Sequence, residues 1–467
     1  MQITTRAAVI VGLVTVCSAL GCRDLSNPTL PDGVRSPETY HSREGGVMLA
    51  EEALRQFRSV WREMTINTGL LTDELSAAGT TERAELDRRV LPEQTAVPST
   101  AYPQQYEYAA LHKLRGQARL ARGVLAEYAP DMSSAVRGRL YAFEGYAEIW
   151  LADLFCSGIP LSTIDFKKDF TYQAPSTTEE VYLHAVTLFD SALALSADSV
   201  AVRILAQVGK GRALLAVGQY AKAEAAVADV QPNDAYRLRV AFRTNFGGSP
   251  NLFAQHATVS DREGINGLVF RTSGDPRTAS PLMQLPVQGQ QSIREVFFPN
   301  KYVPPDSNWV AIASGIEAQL IRAEAALHRN ESGNWLSLLN RLRTTGAYTR
   351  IDTVYTDTTR TAISRVDTLW EAGEGGVAGL KPLEAAATEQ ERIDTHFAER
   401  AAWLFVSAQR QGDLRRLVRV YGRTASDLYP QGTYAGNGGG LYGEAITVPI
   451  PPAERRNPMF RGCLNRD

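Results

Sequence analysis

Cysteine, histidine and lysine are all scarce in this 467-residue chain, which holds four Cys, six His and seven Lys against 42 Arg. Too few soft ligands stand at metal-binding spacing for structural zinc. Cys17 and Cys22 lie near the start, Cys156 and Cys463 are far apart, and no Cys-x-x-Cys or His-x-x-x-His pair occurs. Charge of one sign is lacking too: 49 Lys+Arg against 51 Asp+Glu leaves a net charge of −2, with the arginines spread along the whole chain. That balance excludes the clustered basic face a nucleic-acid partner needs. No apolar run approaches the roughly 20 residues that span a bilayer core. Gly-x-Ser-x-Gly and His-Glu-x-x-His are absent, and no two carboxylates are marked as convergent, so nothing supports catalysis or calls for a cofactor.

What is present begins with a leader. Met1–Gly21 carries one cation, Arg6, then an uncharged apolar stretch over Ala7–Leu20 and the pair Gly21-Cys22. Fourteen apolar residues are too short for a membrane span and suit a signal-peptide core. The segment resembles a bacterial lipoprotein leader, which implies that residues 1–21 are removed and Cys22 is lipidated, leaving the protein held by palmitate-type acyl chains. In an oxidising compartment Cys156 and Cys463 would be the two unmodified thiols left and could pair.

A polar tether at 22–46 leads into one domain, 47–467. Apolar residues at helical spacing predict a mainly α scaffold over about 47–66, 104–230, 311–344 and 390–421. Gly211, Gly218-Gln219-Tyr220, Ala223 and Pro232 follow the tetratricopeptide pattern, and Glu317–Arg343 reads the same way. The scaffold is therefore expected to be a stack of degenerate helical hairpins. Segments at about 67–103, 237–310 and 348–389 lack periodicity, and Gly267–Phe270 and Ala362–Asp367 are expected to form short strands. Irregular stretches of this length are more often functional surfaces than connectors. Trp61, Trp150, Trp335 and Trp403 sit on apolar helix faces and are expected in the core.

The C-terminal 80 residues carry a resemblance. Glu399-Arg400 is read as opening a helix that continues through Arg410 and Asp413-Leu414-Arg415-Arg416. It is followed by Tyr429-Pro430 and Pro449-Ile450-Pro451-Pro452-Ala453-Glu454. With Thr72-Asp73-Glu74, Asp275-Pro276-Arg277 and Lys301-Tyr302, this resembles the SusD/RagB family of outer-membrane nutrient-binding lipoproteins. In physical terms the motif reads as architecture: Arg410 and Asp413 are one turn apart and can pair. Arg400 among Phe397, Ala401 and Leu404 needs carboxylate or carbonyl partners. The Pro-rich tail, 422–467, is expected to lie as an extended strap.

The resemblance implies a SusD-like fold and a non-enzymatic role. Such a protein captures an oligosaccharide or peptide at the cell surface and passes it to a SusC-like TonB-dependent barrel transporter. Sugar capture needs flat aromatic faces and polar hydroxyl partners on irregular segments. The candidates are Trp309 beside Asp306 and Asn308, then Tyr302, Tyr102 and Trp370. A tetratricopeptide-type periplasmic scaffolding lipoprotein is the alternative. Gly438–Gly443 formally satisfies the dinucleotide fingerprint Gly-x-Gly-x-x-Gly, but it runs on into Val448-Pro449 instead of a helix and reads as a loop.

Overall fold

A computed structural model describes residues 40–78, 83–92, 104–164, 170–240, 253, 256–261, 267–286, 293–302, 308–345, 354–355, 362–363, 380–434, 436 and 439–466. The leader, Cys22 and most of the tether lie outside this set, as do Tyr102, Asp306 and Trp370.

Helix α1 (Arg43–Leu71) starts where the Ser42 hydroxyl accepts from Gly45 N at 3.0 Å, and its apolar stripe includes Leu54, Phe57, Trp61 and Met64. It continues past the expected limit of 66 to Leu71, and the hydroxyls of Thr65, Thr68 and the C-cap Thr72 are satisfied inside the core by carbonyls one turn back. A one-turn helix α2 (Ala84–Asp87) follows within the stretch read as irregular.

The helical stack comprises α3 (Gln104–Tyr128), α4 (Ser134–Leu154), α5 (Thr178–Ala194), α6 (Val200–Ala216) and the short α7 (Tyr220–Ala226). It continues through α8 (Gly315–His328) and α9 (Ser332–Thr345). Each packs on the one before it, with α1 against α3 and α8 against both α6 and α7. Gly218 takes φ +71° in the turn before α7, a conformation that suits glycine, and the Tyr220 ring then stacks on His328 of α8 at 4.0 Å. That turn-to-next-hairpin packing is the tetratricopeptide logic that the Gly-Gln-Tyr motif predicts. Phe57, Phe143, Tyr146 and Trp150 form an aromatic cluster inside the stack, with Phe57 and Phe143 stacked at 4.1 Å.

Strands are short and paired as antiparallel ribbons. The longest joins β6 (Ala235–Val240) to β10 (Asn308–Ser314). The others join β1 (Leu75–Ala77) to β7 (Ala257–Val259), β2 (Ile159–Pro160) to β5 (Pro175–Ser176), β3 (Thr163–Ile164) to β4 (Phe170–Thr171), and β8 (Leu282–Pro286) to β9 (Ile293–Phe297). A final pair joins Val354–Tyr355 to Ala362–Ile363, so a short hairpin does form there. Gly267–Phe270 forms no strand; its Leu268 N–H is taken by the Asp73 carboxylate at 2.6 Å instead of a ladder.

The stretch 390–421 is not one helix. It divides into α10 (Glu389–Trp403) and α11 (Arg410–Arg419), because Val406 and Ala408 adopt φ +48° and +63°. Non-glycine residues adopt that region only when surrounding structure holds them there. Here Val406 N–H donates to Glu74 Oε1 at 2.9 Å, Tyr302 Oη donates to the Val406 carbonyl at 2.7 Å, and the Lys301 ammonium donates to the Phe405 carbonyl. Phe405 is fully buried and stacks on Phe270 at 5.1 Å.

Arg410 does not pair with Asp413. Its guanidinium holds Asp73 through two 2.7 Å bonds, while Asp413 receives Arg400 at 2.9 Å and Arg416 at 3.0 Å. Arg416 and His396 both reach Glu324, so α8, α10 and α11 share one buried ionic network. Burial opposes ionisation of Glu324, but Arg416, His396 and Arg400 outweigh it and hold the carboxyl well below its usual range. Arg400 is buried and partnered by a carboxylate, as its apolar neighbours require.

The C-terminal strap crosses the helices and is fastened at several points. Val448 exchanges backbone bonds with Leu154 and Cys156, Gly443 N–H donates to the Arg88 carbonyl at 2.7 Å, and Cys156 and Cys463 form a disulfide. In the glycine-rich segment Leu441 bridges back to Thr433, and residues 442–451 that follow form no helix.

Candidate ligand cleft

The β6–β10 ribbon decides what faces the cleft. Tyr236, Leu238 and Val240 alternate with Arg237 and Arg239 on β6, and Val310 and Ile312 alternate with Trp309 and Ala311 on β10. The apolar set is buried against the helices, so the other set faces outward. The register places Trp309 opposite Arg239 and Ala311 opposite Arg237. Trp309 and Arg237 are thus diagonal neighbours on one face, with the small, exposed Ala311 across the ladder from the arginine.

Between Ala311 and Ala313 the register slips by one residue, a β-bulge that turns the strand into α8. The Ile312 carbonyl accepts from Arg212 of α6 at 3.2 Å, and the same guanidinium grips Glu317 through bonds of 2.7 and 2.8 Å. Ser314 caps α8 by accepting from Glu317 N at 3.2 Å.

This ribbon, the start of α8 and the break between α10 and α11 enclose a cleft with a cavity volume of about 150 Å³. Its walls include Trp309, Ala311, Arg237 and Asp234 on one side and Trp403, Leu404, Ser407 and Gln409 on the other. Lys301, Tyr302 and Arg277 line it as well.

The charges around it are mostly committed. Arg277 is held by Asp275 at 2.6 Å and by Glu399 at 2.8 and 2.9 Å. Glu317 is neutralised by Arg212 and accepts from Gln409 Nε2 at 3.2 Å. Asp234 Oδ2 accepts from Gln231 N at 2.8 Å. Lys301 lies over the Tyr302 ring at 5.0 Å; burial lowers its pKa to about 8, against the opposing pull of Glu74. Arg237 differs: its guanidinium has no hydrogen bond or ion pair among the described residues, and burial alone draws its pKa down. No group of three His, Cys, Asp or Glu residues among the described ones converges as a metal cage.

Of the candidates read from the sequence, the cleft brings together Trp309 and Tyr302 in different roles. Trp309 is half-buried, lines the cleft and makes no ring contact among the described residues. Tyr302 is a strut: only 5% exposed, it meets Trp61 edge-on at 6.3 Å and spends its hydroxyl on the Val406 carbonyl. The backbone of Asn308 opens β10, while Asp306, Tyr102 and Trp370 lie outside the described residues. Trp403, expected in the core, is buried yet lines the cleft, with Arg277 over its ring at 4.8 Å and its Nε1 donating to Glu399 at 3.2 Å. Sequence reading missed Arg237, although the alternation in Ala235–Val240 carried the signal that it faces away from the core.

No family model matches the chain and no curated protein matches it. Solved structures do. A SusD-like protein from Bacteroides fragilis aligns over 93% of this chain and all of its own length at 10% identity and a TM-score of 0.60. A SusD superfamily protein from Bacteroides vulgatus aligns over 91% and 99% at 12% identity and 0.57. Surface glycan-binding protein A from Bacteroides uniformis aligns over 89% and 98% at 12% identity and 0.55. Near-complete coverage in both directions, with a mainly helical hairpin stack carrying short strand ribbons, shows that this chain has the SusD-like fold.

Proposed function

We propose that this protein is a non-catalytic surface lipoprotein, anchored through Cys22, that captures an oligosaccharide in the Trp309 cleft and delivers it to a TonB-dependent barrel transporter of the outer membrane. The observation that carries the reading is a tryptophan without a ring partner among the described residues, lining a cleft whose neighbouring backbone at Val406 is held by Tyr302 and Glu74. Indole faces suit the C–H side of a sugar ring, and a pre-ordered wall limits the entropy lost on binding. The reading is also supported by the fold and by a structural neighbour described as a surface glycan-binding protein. Among the described residues no helix is long and apolar enough to cross a membrane.

Titration calorimetry with purified protein tests it. Binding of an oligosaccharide is expected, with the recovered sugar unchanged in length, and Trp309→Ala is expected to weaken that binding by about 2 kcal/mol, roughly thirtyfold. Equal affinity in the Trp309→Ala variant would remove the cleft from the binding surface. Protease digestion on intact cells separates surface display from a periplasmic scaffold, which would be protected.

A further inference from the structure

We propose that the cleft takes an acidic saccharide, its anionic group paired with Arg237 and a neighbouring ring seated on Trp309. The inference rests on the cleft being the sugar site and adds the ligand's charge.

Four observations carry it. First, Arg237 is the one arginine lining the cleft whose guanidinium lacks a described partner; Arg277 is already saturated by Asp275 and Glu399. Secondly, Arg237 is part-buried, and among the described residues no carboxylate pairs with it. A desolvated, unpaired guanidinium is a costly arrangement for a structure to keep and gains most from an incoming oxyanion. Thirdly, the residue is on a strand in register with Trp309, and its partner across the ladder is the small, exposed Ala311. Placement on a ribbon holds the two groups at fixed separation, as recognition of one sugar unit by charge and ring face requires. Fourthly, the nearby Glu317 carboxylate is already discharged by Arg212 and bonded by Gln409, and one oxygen of Asp234 is turned to the Gln231 N–H.

The shared chemistry is a carboxylate or sulfate ester, either of which can meet the planar N–H fork of arginine through two parallel hydrogen bonds. A glycan array carrying uronic-acid, sulfated and neutral oligosaccharides tests the proposal, followed by titration of each hit and, for uronic-acid hits, of the methyl ester. Acidic glycans are expected to bind at least about tenfold more tightly than their neutral counterparts, and added salt is expected to erode that margin. Arg237→Gln should abolish the margin, so that acidic and neutral counterparts bind alike, and Arg237→Lys should restore part of it, since charge survives without the fork. Trp309→Ala should weaken acidic and neutral ligands alike. Matching circular dichroism spectra of the variants identify a loss of fold.

Neutral glycans binding as tightly as acidic ones, or an acidic preference surviving Arg237→Gln, would overturn the inference and leave the sugar cleft standing. Binding untouched by Trp309→Ala would overturn the cleft itself. Recognition of acidic peptides only would refute the saccharide class and retain the role of Arg237.

Discussion

Glu74 is fully buried, and burial raises its pKa to about 8, with the Val406 N–H, Arg410 and Lys301 acting in the opposite sense. An acid whose folded pKa lies above its unfolded value stabilises the fold most below the unfolded value. Between 4.5 and about 8 the unfolded chain has released a proton that the folded chain keeps, so stability falls as pH rises through that window. Lys301, lowered from 10.5 to about 8, acts above that window and in the opposite direction. Glu74→Gln keeps an acceptor for Val406 N–H without the ionisation. Thermal melts of the two proteins from about pH 5 to about pH 8 should therefore show the parent losing melting temperature relative to the variant. Parallel curves would mean that Glu74 does not titrate in this range. Glu74 matters to the cleft because it holds the backbone of Val406, and through it the Leu404–Gln409 wall.

At the scale of elements, the wall is made by interruptions of regular structure. The β10 bulge, the immediate start of α8 and the break between α10 and α11 each place irregular backbone where a ligand can approach. Gly315 allows the strand-to-helix turn because a side chain there would meet the Gln231 carbonyl oxygen at 1.9 Å and the Pro232 carbonyl oxygen at 2.5 Å. These are backbone atoms with little freedom to move. Gly315→Ala is expected to cost about 1–3 kcal/mol in urea denaturation and to weaken oligosaccharide binding, because it displaces the α8 start that lines the cleft. A variant as stable as the parent would show that the turn can open without strain.

On the scale of the whole molecule, the Cys156–Cys463 disulfide closes 307 residues of chain and ties the strap to the end of α4. Cross-links over long loops restrict the unfolded ensemble most, and a typical contribution is about 2–4 kcal/mol. Reductant should lower the urea midpoint of the parent by that equivalent and leave Cys463→Ser unaffected; an unchanged parent midpoint would show that strap packing alone suffices. The charge distribution works at the same scale. The C-terminal arginines, unremarkable as a helical repeat, become counter-ions to carboxylates from other elements: Arg410 to Asp73 and Arg416 to Glu324 far along the chain, and Arg400 to Asp413 on the next helix. Removing one partner of such a buried pair leaves an uncompensated charge, which is why the motif belongs to the architecture.

Local signals were legible wherever the physics is local. The helical stack follows from apolar spacing, the Gly218 turn from glycine's tolerance of positive φ, and the burial of Trp61, Trp150 and Trp335 from their place on apolar faces. The family resemblance was legible in ordered tripeptides, and Trp309 stood out as an aromatic beside polar neighbours on an irregular segment. What spacing could not supply was pairing across the chain. Whether Arg410 would meet Asp413 or Asp73, whether Tyr302 would present its ring or brace Val406, and whether Arg237 would find a carboxylate all depend on segments separated by scores to hundreds of residues. The sequence by itself determined the periodic elements and the chemistry available. Only the tertiary structure decided which charges cancel and that, among the described residues, Arg237 lines the cleft without a counter-ion, because electrostatic partnership depends on distance in space and on burial.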